Sequence, residues 1–275
     1  AVEDEDPEIE AKRDKAIELF KRYAALVPED PRPREKLAAI YEARHDSARA
    51  EAEYRAVIER DPQLPGNYAD LARFLVTQRR YKDALTAIDQ SRGRGESKDE
   101  VFAQLFLFAG DKEAAECLEG LAAAAPDRMA KNSMANLYLG WLRINNGRAG
   151  EAIPLLKNAA NLNPKIASPH VSIAEAYRKL HNWALALKSA DAAIQIEAEN
   201  TDAYFHRACA LAQLRRPTEA IAALKKAIEL DEEAMVYEDL EAEPDLKPLA
   251  ELPAFKKLLQ QLKQAETDSL KKDDK

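Results

Sequence analysis

The sequence is poor in cysteine, glycine and proline, and it has no long apolar run. Its two cysteines, Cys117 and Cys209, are too few for a small fold held together by disulfides. Eight glycines and fourteen prolines in 275 residues are too few for a β-protein rich in tight turns. No apolar run approaches the roughly 20 residues that cross a bilayer, so membrane insertion is not expected. A helical chain is favoured instead, since alanine and leucine dominate the apolar residues.

Acidic residues outnumber basic ones. The 41 basic and 49 acidic side chains give a net charge of −8 at pH 7. An acidic chain is repelled by nucleic acid and by anionic membranes, so neither is expected as a main partner. The first residue is Ala1, which indicates either a removed targeting segment or a piece of a longer chain. A soluble protein is expected, and the compartment stays open between the cytoplasm and an exported or periplasmic location.

One alanine recurs along most of the chain inside an apolar helical pattern. Successive copies are separated by 34, 34, 30, 38, 34 and 34 residues. Four of the seven copies are followed twelve residues later by a proline, which ends a helix because it lacks an N–H. Such a period indicates a repeat protein. The recurring alanines are Ala16, Ala50, Ala84, Ala114, Ala152, Ala186 and Ala220.

A second set of small residues precedes most of these alanines by twelve positions. Two small residues on paired helices allow the two backbones to approach closely, and larger apolar residues fill the space around them. Each unit is therefore predicted to be two helices of roughly 14 residues, about 20 Å long, joined by a tight turn. The second set is Ala38, Ala72, Gly140, Ala174 and Ala208.

This pattern resembles the tetratricopeptide repeat, most clearly in residues 133–166 and 201–232. The resemblance implies an all-α fold, a right-handed α-α superhelix of helix pairs with a C-terminal capping helix. The unit at 97–126 departs from the pattern, because it is short and has Gln104 where a small residue is expected. The predicted array covers residues 9–232, with a half unit at 9–28 and units at about 31–62, 65–96, 97–126, 129–164, 167–198 and 201–232.

The two ends of the chain break the period. Residues 1–8 read as an acidic N-terminal tail. Residues 233–265 contain two proline-interrupted segments and an amphipathic stretch, which predict a cap over the last apolar face of the array. The charged segment 266–275 is expected to be disordered.

The histidines and cysteines form no pattern typical of catalysis or metal binding. None of the four histidines lies four residues from another, and no CxxC pair occurs. His206 and Cys209 are three apart on one predicted helix, but a buried cysteine beside a groove-facing histidine is the simpler interpretation. No glycine-rich phosphate loop or nucleophile elbow is found. The chain is therefore expected to be no enzyme and to hold no metal or cofactor.

The resemblance implies that a partner lies along the concave face made by the first helix of each unit. Positions two, five, six, nine and thirteen of a unit point there. Tyr138, Trp141 and Phe205 are the predicted anchors for an apolar or amphipathic segment; the alternative is that some of them pack against the next repeat. The full predicted groove is Arg73, Lys98, Val101, Leu137, Tyr138, Trp141, Asn145, Val171, Glu175, Phe205 and His206.

The resulting functional prediction is a non-enzymatic scaffold or adaptor that binds a protein or peptide segment. The alternative is a regulatory or substrate-recruiting domain of a larger enzyme or assembly. Some family members clamp the C-terminal carboxylate of chaperones with lysine and asparagine at set positions. That partner is not expected here, because position five reads Glu35, Ala69, Val101, Leu137, Val171 and Phe205.

Overall fold

The computed structural model describes residues 7–91, 98–108, 112–231 and 237–273. All regular structure in these ranges is helical, as the sequence predicts. The chain divides into two compact units, Ala1–Met129 and Ala130–Lys275. Parts of five sequence predictions lie outside the described residues. These are 1–6 of the acidic tail, 92–97 at a predicted unit boundary, 109–111 inside the unit at 97–126, 232–236 at the start of the cap, and 274–275 of the segment expected to be disordered.

The first unit contains a single helix followed by helix pairs. Successive helices contact one another in series: α1 packs on α2, α2 on α3, α3 on α4, and α4 on α5. The small residues predicted at the pair interfaces, Ala38, Ala50, Ala72 and Ala84, are fully buried. The helices are α1 (Pro7–Leu26), α2 (Arg32–Ala43), α3 (Ser47–Arg60), α4 (Pro65–Thr77), α5 (Tyr81–Gln90), α6 (Lys98–Gln104) and α7 (Lys112–Ala124).

The irregular unit at 97–126 differs from a plain helix pair. Its first helix, α6, ends after seven residues at Gln104 and continues as a 3-10 helix over Leu105–Phe108. Val101, Phe102, Leu105 and Phe106 are all buried.

The second unit contains three regular helix pairs followed by a C-terminal segment. Within each pair, and from each pair to the next, consecutive helices are in contact from α9 to α14. A short helix, α8 (Pro126–Lys131), precedes these pairs in the chain. The helices are α9 (Ser133–Asn145), α10 (Ala149–Leu162), α11 (Ser168–Lys179), α12 (Trp183–Ile196), α13 (Thr201–Gln213), α14 (Pro217–Leu230), α15 (Tyr237–Ala242) and α16 (Pro253–Asp273).

The turn inside each regular pair has the same backbone conformation. Its middle residue has a positive φ between 55° and 73°, and the amide three residues past the last helical residue donates to the carbonyl five positions earlier. This geometry caps a helix C-terminus with a left-handed residue. Two of the four histidines therefore serve as turn residues. The five positions are His45, Arg79, Gly147, His181 and Arg215.

Gly140 shows why a small residue is needed at the pair interface. A Cβ placed on Gly140 of α9 would lie 2.6 Å from Cδ2 and 2.7 Å from Cγ of Leu156 on α10. Leu156 is itself fully buried, so its side chain has little room to move away. The glycine thus lets the two helices approach closely.

The C-terminal segment packs against the last helix pair. A 3-10 helix over Pro244–Leu249 contacts α13, and α16 contacts α14. Its apolar side chains are buried in one cluster with Leu211 and Leu224 of that pair. The buried side chains of this segment are Leu240, Leu246, Leu249, Phe255, Leu258, Leu259 and Leu262.

Both chain ends are more helical than the sequence suggests. α1 begins at Pro7, inside the predicted tail, and α16 runs to Asp273, into the segment 266–275 for which disorder is expected. Disorder of residues 266–275 stays a prediction, and lysine, glutamate and leucine in this segment also favour a helix that is anchored at its start. Among the described residues, no helix is both long and apolar enough to cross a membrane.

Candidate partner-binding site

In the first unit, the three predicted groove residues have different surroundings. Arg73 of α4 is half-buried and donates to Glu42 of α2, at 3.1 Å and 3.2 Å, and to the hydroxyl of Tyr54 of α3, at 2.9 Å. This network joins three helices, so the Arg73 guanidinium already has hydrogen-bond partners inside the first unit. Lys98 is exposed, whereas Val101 is fully buried and offers no surface.

In the second unit, five of the predicted residues line one cleft. The cleft lies between the first helices of the three pairs: α9 supplies Trp141, α11 supplies Val171 and Glu175, and α13 supplies Phe205 and His206. First helices of successive pairs are in contact here, α9 with α11 and α11 with α13. The cleft has a volume of about 370 Å³, and its other lining residues are Ser168, Ser172, Asn200 and Asp202.

The other three predicted residues of this unit do not line that cleft. Leu137 is buried in an apolar cluster with Leu156 and Ile173. Tyr138 is half-buried and Asn145 is exposed. All three lie on α9, the helix that carries Trp141.

The aromatic walls of the cleft are Trp141 and Phe205. Trp141 is 48% exposed, the largest apolar side chain in the protein with such exposure. Phe205 is half-buried and packs against the apolar cluster of α13, α14 and the C-terminal segment. The guanidinium of Arg178 lies 5.0 Å from the centre of its ring. The Trp141 side chain is therefore available to a partner, whereas Phe205 is held in place by the apolar cluster and by Arg178.

His206 forms part of the base of the cleft and has a defined tautomer. Nη1 of Arg178 lies 2.8 Å from Nδ1 of His206. A guanidinium can only donate, so Nδ1 accepts and the imidazole proton resides on Nε2. Burial and the nearby charges of Arg178 and Lys179 lower the pKa of His206 to about 3. The imidazole is therefore neutral at physiological pH and supplies one N–H donor.

Arg178 connects the cleft to the C-terminal segment. It is 9% exposed and donates from Nε to Asp245 at 2.8 Å, while Nη2 is 3.0 Å from Glu243 and 2.7 Å from Asp245. The side-chain amide of Gln213 also donates to the Asp245 carbonyl at 2.9 Å. A buried cation requires such partners, and the two carboxylates hold its charge on the side of the C-terminal segment.

Glu175 is the half-buried carboxylate of the cleft. Burial raises its pKa, and the neighbouring Asp202 acts in the same direction, against the opposing effect of Lys179 and Arg178. A desolvated carboxylate next to a second one is an arrangement often found where a ligand is bound.

The buried thiol beside the cleft is not set up as a nucleophile. Burial strongly raises the pKa of Cys209, so the thiolate is disfavoured. The Cys209 sulfur and carboxylate oxygens of Glu243 and Asp245 lie within 4.8 Å of one another. These carboxylates already pair with Arg178, so a metal ion would have to displace a buried guanidinium.

Four lining residues are absent from the predicted groove, although a positional signal exists for three of them. Ser168 and Asp202 occupy position two of their units and Ser172 occupies position six, and both positions are expected on the concave face. Asn200 lies just before α13, where its side chain accepts from the amide of Ala203. Arg178 is also absent from the predicted groove, since its position in the unit, the twelfth, is not one of the groove-facing positions.

One repeat of this chain matches a known protein family. Residues 201–234 match the family model of the tetratricopeptide repeat. A crystal structure of MamA is 17% identical over 74% of this chain and 92% of that chain, with a TM-score of 0.41. A MamA structure designated AMB-1 is 26% identical over 60% of this chain and 98% of that one, with a TM-score of 0.44. No curated protein matches the sequence.

A third solved structure is that of YrrB, described as a TPR protein with an unusual peptide-binding site. It is 18% identical over 78% of this chain and 93% of that chain, with a TM-score of 0.38.

Helix pairs packed in series, with small residues at each pair interface and one recurring turn, define an all-α repeat protein. The match at residues 201–234 identifies the repeat. Residues 201–234 form a tetratricopeptide repeat, as the sequence predicts, and the other helix pairs have the same all-α arrangement. Proteins of this family are in general scaffolds that bind protein or peptide partners.

Proposed function

We propose that this chain is a non-enzymatic scaffold that binds a segment of a partner protein in the cleft of its second unit. The observation that carries the proposal is the exposed indole of Trp141, at the edge of a cleft lined by three successive first helices. A large aromatic side chain is costly to expose and is frequent among residues that dominate binding energy. Val171 and Phe205 extend the apolar surface beside it.

The proposed partner segment is amphipathic. The cleft has apolar walls from Trp141, Val171 and Phe205, but serine hydroxyls and two carboxylates also line it. A peptide laid here can bury apolar side chains while its polar groups meet Ser168, Ser172 or the His206 N–H. Apolar surface gives affinity and the polar groups fix orientation.

Affinity capture with the full chain tests the proposal. Wild type, Trp141→Ala and Trp183→Ala serve as baits. Trp183 is the matched control because it begins α12, does not line the cleft and has its ring tilted against that of His181, with the ring centres 5.2 Å apart. We expect a partner enriched by wild type and by Trp183→Ala but reduced at least about tenfold with Trp141→Ala, since hot-spot truncations cost 2 kcal/mol or more.

Circular dichroism shows whether each bait is folded. Equal capture by all three folded baits would contradict the proposal, because binding would then not need the cleft. If Trp141→Ala were instead unfolded, the indole would be needed for the stability of the fold.

A further inference from the structure

The charged residues that line the cleft are all acidic. Its nine lining residues include the carboxylates of Glu175 and Asp202 and no lysine or arginine. The remaining lining residues are neutral, including His206 with its lowered pKa. The cleft is therefore complementary to a positive charge.

Neighbouring cations offset the charge of the two carboxylates only in part, because Lys179 and Arg178 act on Glu175 but burial still leaves its pKa raised. Within the described ranges, neither Glu175 nor Asp202 has a lysine or arginine nitrogen within ion-pair distance. The nearest buried cation, Arg178, is already held by Glu243 and Asp245 at 2.7–3.0 Å. Arg207, on the same helix as Asp202, pairs with Asp191 at 2.8 Å. The acidic character of the cleft thus persists in the folded chain.

Glu175 has the most to gain from a cationic ligand. It is half-buried, and the solvation that this carboxylate loses on burial is only partly offset by the charges of Lys179 and Arg178. The raised pKa of Glu175 reflects this cost. A cation bound nearby would restore the lost stabilisation, whereas an acidic or phosphorylated segment would add repulsion from both carboxylates.

The Trp141 side chain is a second and independent reason to expect a cationic ligand. Among aromatic rings, indole attracts cations most strongly, and lysine and arginine carry long apolar stems that pack on such a ring. A volume of about 370 Å³ is near the lower end for ligand pockets, which suits one long side chain. Apolar contact and charge therefore select the same kind of residue.

Resting on the scaffold function proposed above, we infer that the partner segment anchors itself by inserting a lysine or arginine side chain into this cleft. The Trp141 ring packs on its stem, and the carboxylates of Glu175 and Asp202 face its charge. The neutral His206 N–H is a donor for a carbonyl of the same segment. The partner is thus an amphipathic segment with a basic anchor.

A random twelve-residue peptide library displayed on phage tests this inference with the full chain as bait. Clones that bind wild type but not Trp141→Ala are retained and synthesised. Binding of each peptide is then measured with Glu175→Gln, which removes the charge at nearly constant shape. Glu229→Gln is the matched control, because Glu229 is an exposed carboxylate of α14 that pairs with Lys226 outside the cleft.

We expect the retained peptides to share a lysine or arginine at one position. Their affinity should fall about tenfold or more with Glu175→Gln, stay unchanged with Glu229→Gln, and weaken as salt is raised. Replacing the shared basic residue by norleucine should weaken binding to wild type at least as much. The same replacement should cost less affinity with Glu175→Gln, because only Asp202 and Trp141 then still act on the charge.

Two other outcomes overturn the inference in different ways. Peptides that depend on Trp141 but lack a shared basic residue, and bind Glu175→Gln as tightly as wild type, would leave the scaffold function intact and refute the cationic anchor. A library that yields no clone dependent on Trp141 would refute the anchor and the cleft together.

Discussion

At the scale of single residues, His206 depends on its neighbours for its protonation state. Its Nδ1 accepts from Arg178, and its ring is buried at the base of the cleft. Adding a proton would place a second positive charge beside a guanidinium and would remove the acceptor. The lowered pKa of His206, about 3, follows from burial first and from Arg178 and Lys179 second.

This lowered pKa predicts acid sensitivity of the second unit. In the unfolded chain His206 titrates near 6.5, so between pH 6.5 and 3 the unfolded state binds more protons and is favoured as the pH falls. The His206 contribution to stability is complete above pH 6.5 and is lost on acidification. Between pH 6.5 and pH 5 the free energy of unfolding should fall by about 2 kcal/mol, at about 1.36 kcal/mol per pH unit.

Urea unfolding followed by tryptophan fluorescence measures this effect, since both tryptophans, Trp141 and Trp183, lie in the second unit. His206→Gln keeps an acceptor for Arg178 but does not titrate. The variant should lose less stability than wild type over the same pH range, and the nearby carboxylates Glu243 and Asp245 are common to both proteins. Parallel pH profiles would show that His206 does not titrate as described.

Residue types alone could not assign the histidines. His45 and His181 recur at the same turn position and have a positive φ, so their role is conformational. His206 was predicted to face the groove, and it does line the cleft. Its contact with Arg178, however, joins α11 to α13 through two residues that are 28 positions apart in the sequence. Nothing in the spacing of either residue indicates that contact.

At the scale of elements, the most consequential contact is that between α13 and the 3-10 helix of Pro244–Leu249. Leu246 and Leu249 bury apolar surface there, and Glu243 and Asp245 bind Arg178 from α11. The segment therefore stabilises two first helices at once and pairs with the Arg178 guanidinium.

Asp245→Asn should weaken this docking. The substitution removes the carboxylate nearest to a buried guanidinium, while Glu243 remains at 3.0 Å. We expect a loss of about 1–3 kcal/mol, the cost of leaving a buried charged group partly unsatisfied. Amide hydrogen exchange should accelerate over Pro244–Leu249 and α13.

The matched control is Glu251→Gln in the same part of the chain. Its carboxylate pairs with Lys256 at 2.6 Å, but both side chains are exposed, and surface pairs contribute little. Exchange rates close to wild type are expected for this control. If Asp245→Asn exchanged like the control, the Arg178 network would not hold the segment.

Most elements were predictable because the recurring alanines lie where the two helices of a pair pack together. Ala152, Ala186 and Ala220 are fully buried, and each lies five residues after the left-handed turn residue of its pair. The first helix of the unit at 97–126 was not predictable in the same way, since α6 changes to a 3-10 helix after Gln104. A missing small residue predicts a departure from the pattern but not the winding that replaces it.

At the scale of the whole molecule, the predicted binding residues are unevenly distributed between the units. In the first unit, Arg73 is engaged by Glu42 and Val101 is buried. In the second unit, five predicted residues come together with two unpaired carboxylates and an exposed indole. The position of a residue in its unit predicts whether the residue faces the groove. Whether its side chain is accessible to a partner depends on burial, which the position does not predict.

The binding function of the second unit can be tested through the two indole N–H groups. Each tryptophan gives one indole signal in a ¹H–¹⁵N NMR spectrum, so Trp141 reports on the cleft and Trp183 serves as an internal reference. The probes are Nα-acetyl-lysine N-methylamide and its uncharged analogue, Nα-acetyl-norleucine N-methylamide. Both probes are titrated into the full-length chain at neutral pH.

Binding through a basic anchor predicts a saturating shift of the Trp141 signal with the lysine probe, a much smaller shift with norleucine, and a constant Trp183 signal. The Trp141 shift should also be lost in Glu175→Gln. Equal shifts with the two probes, or a response of Trp183 with Trp141 unchanged, would contradict a cation-binding cleft at Trp141.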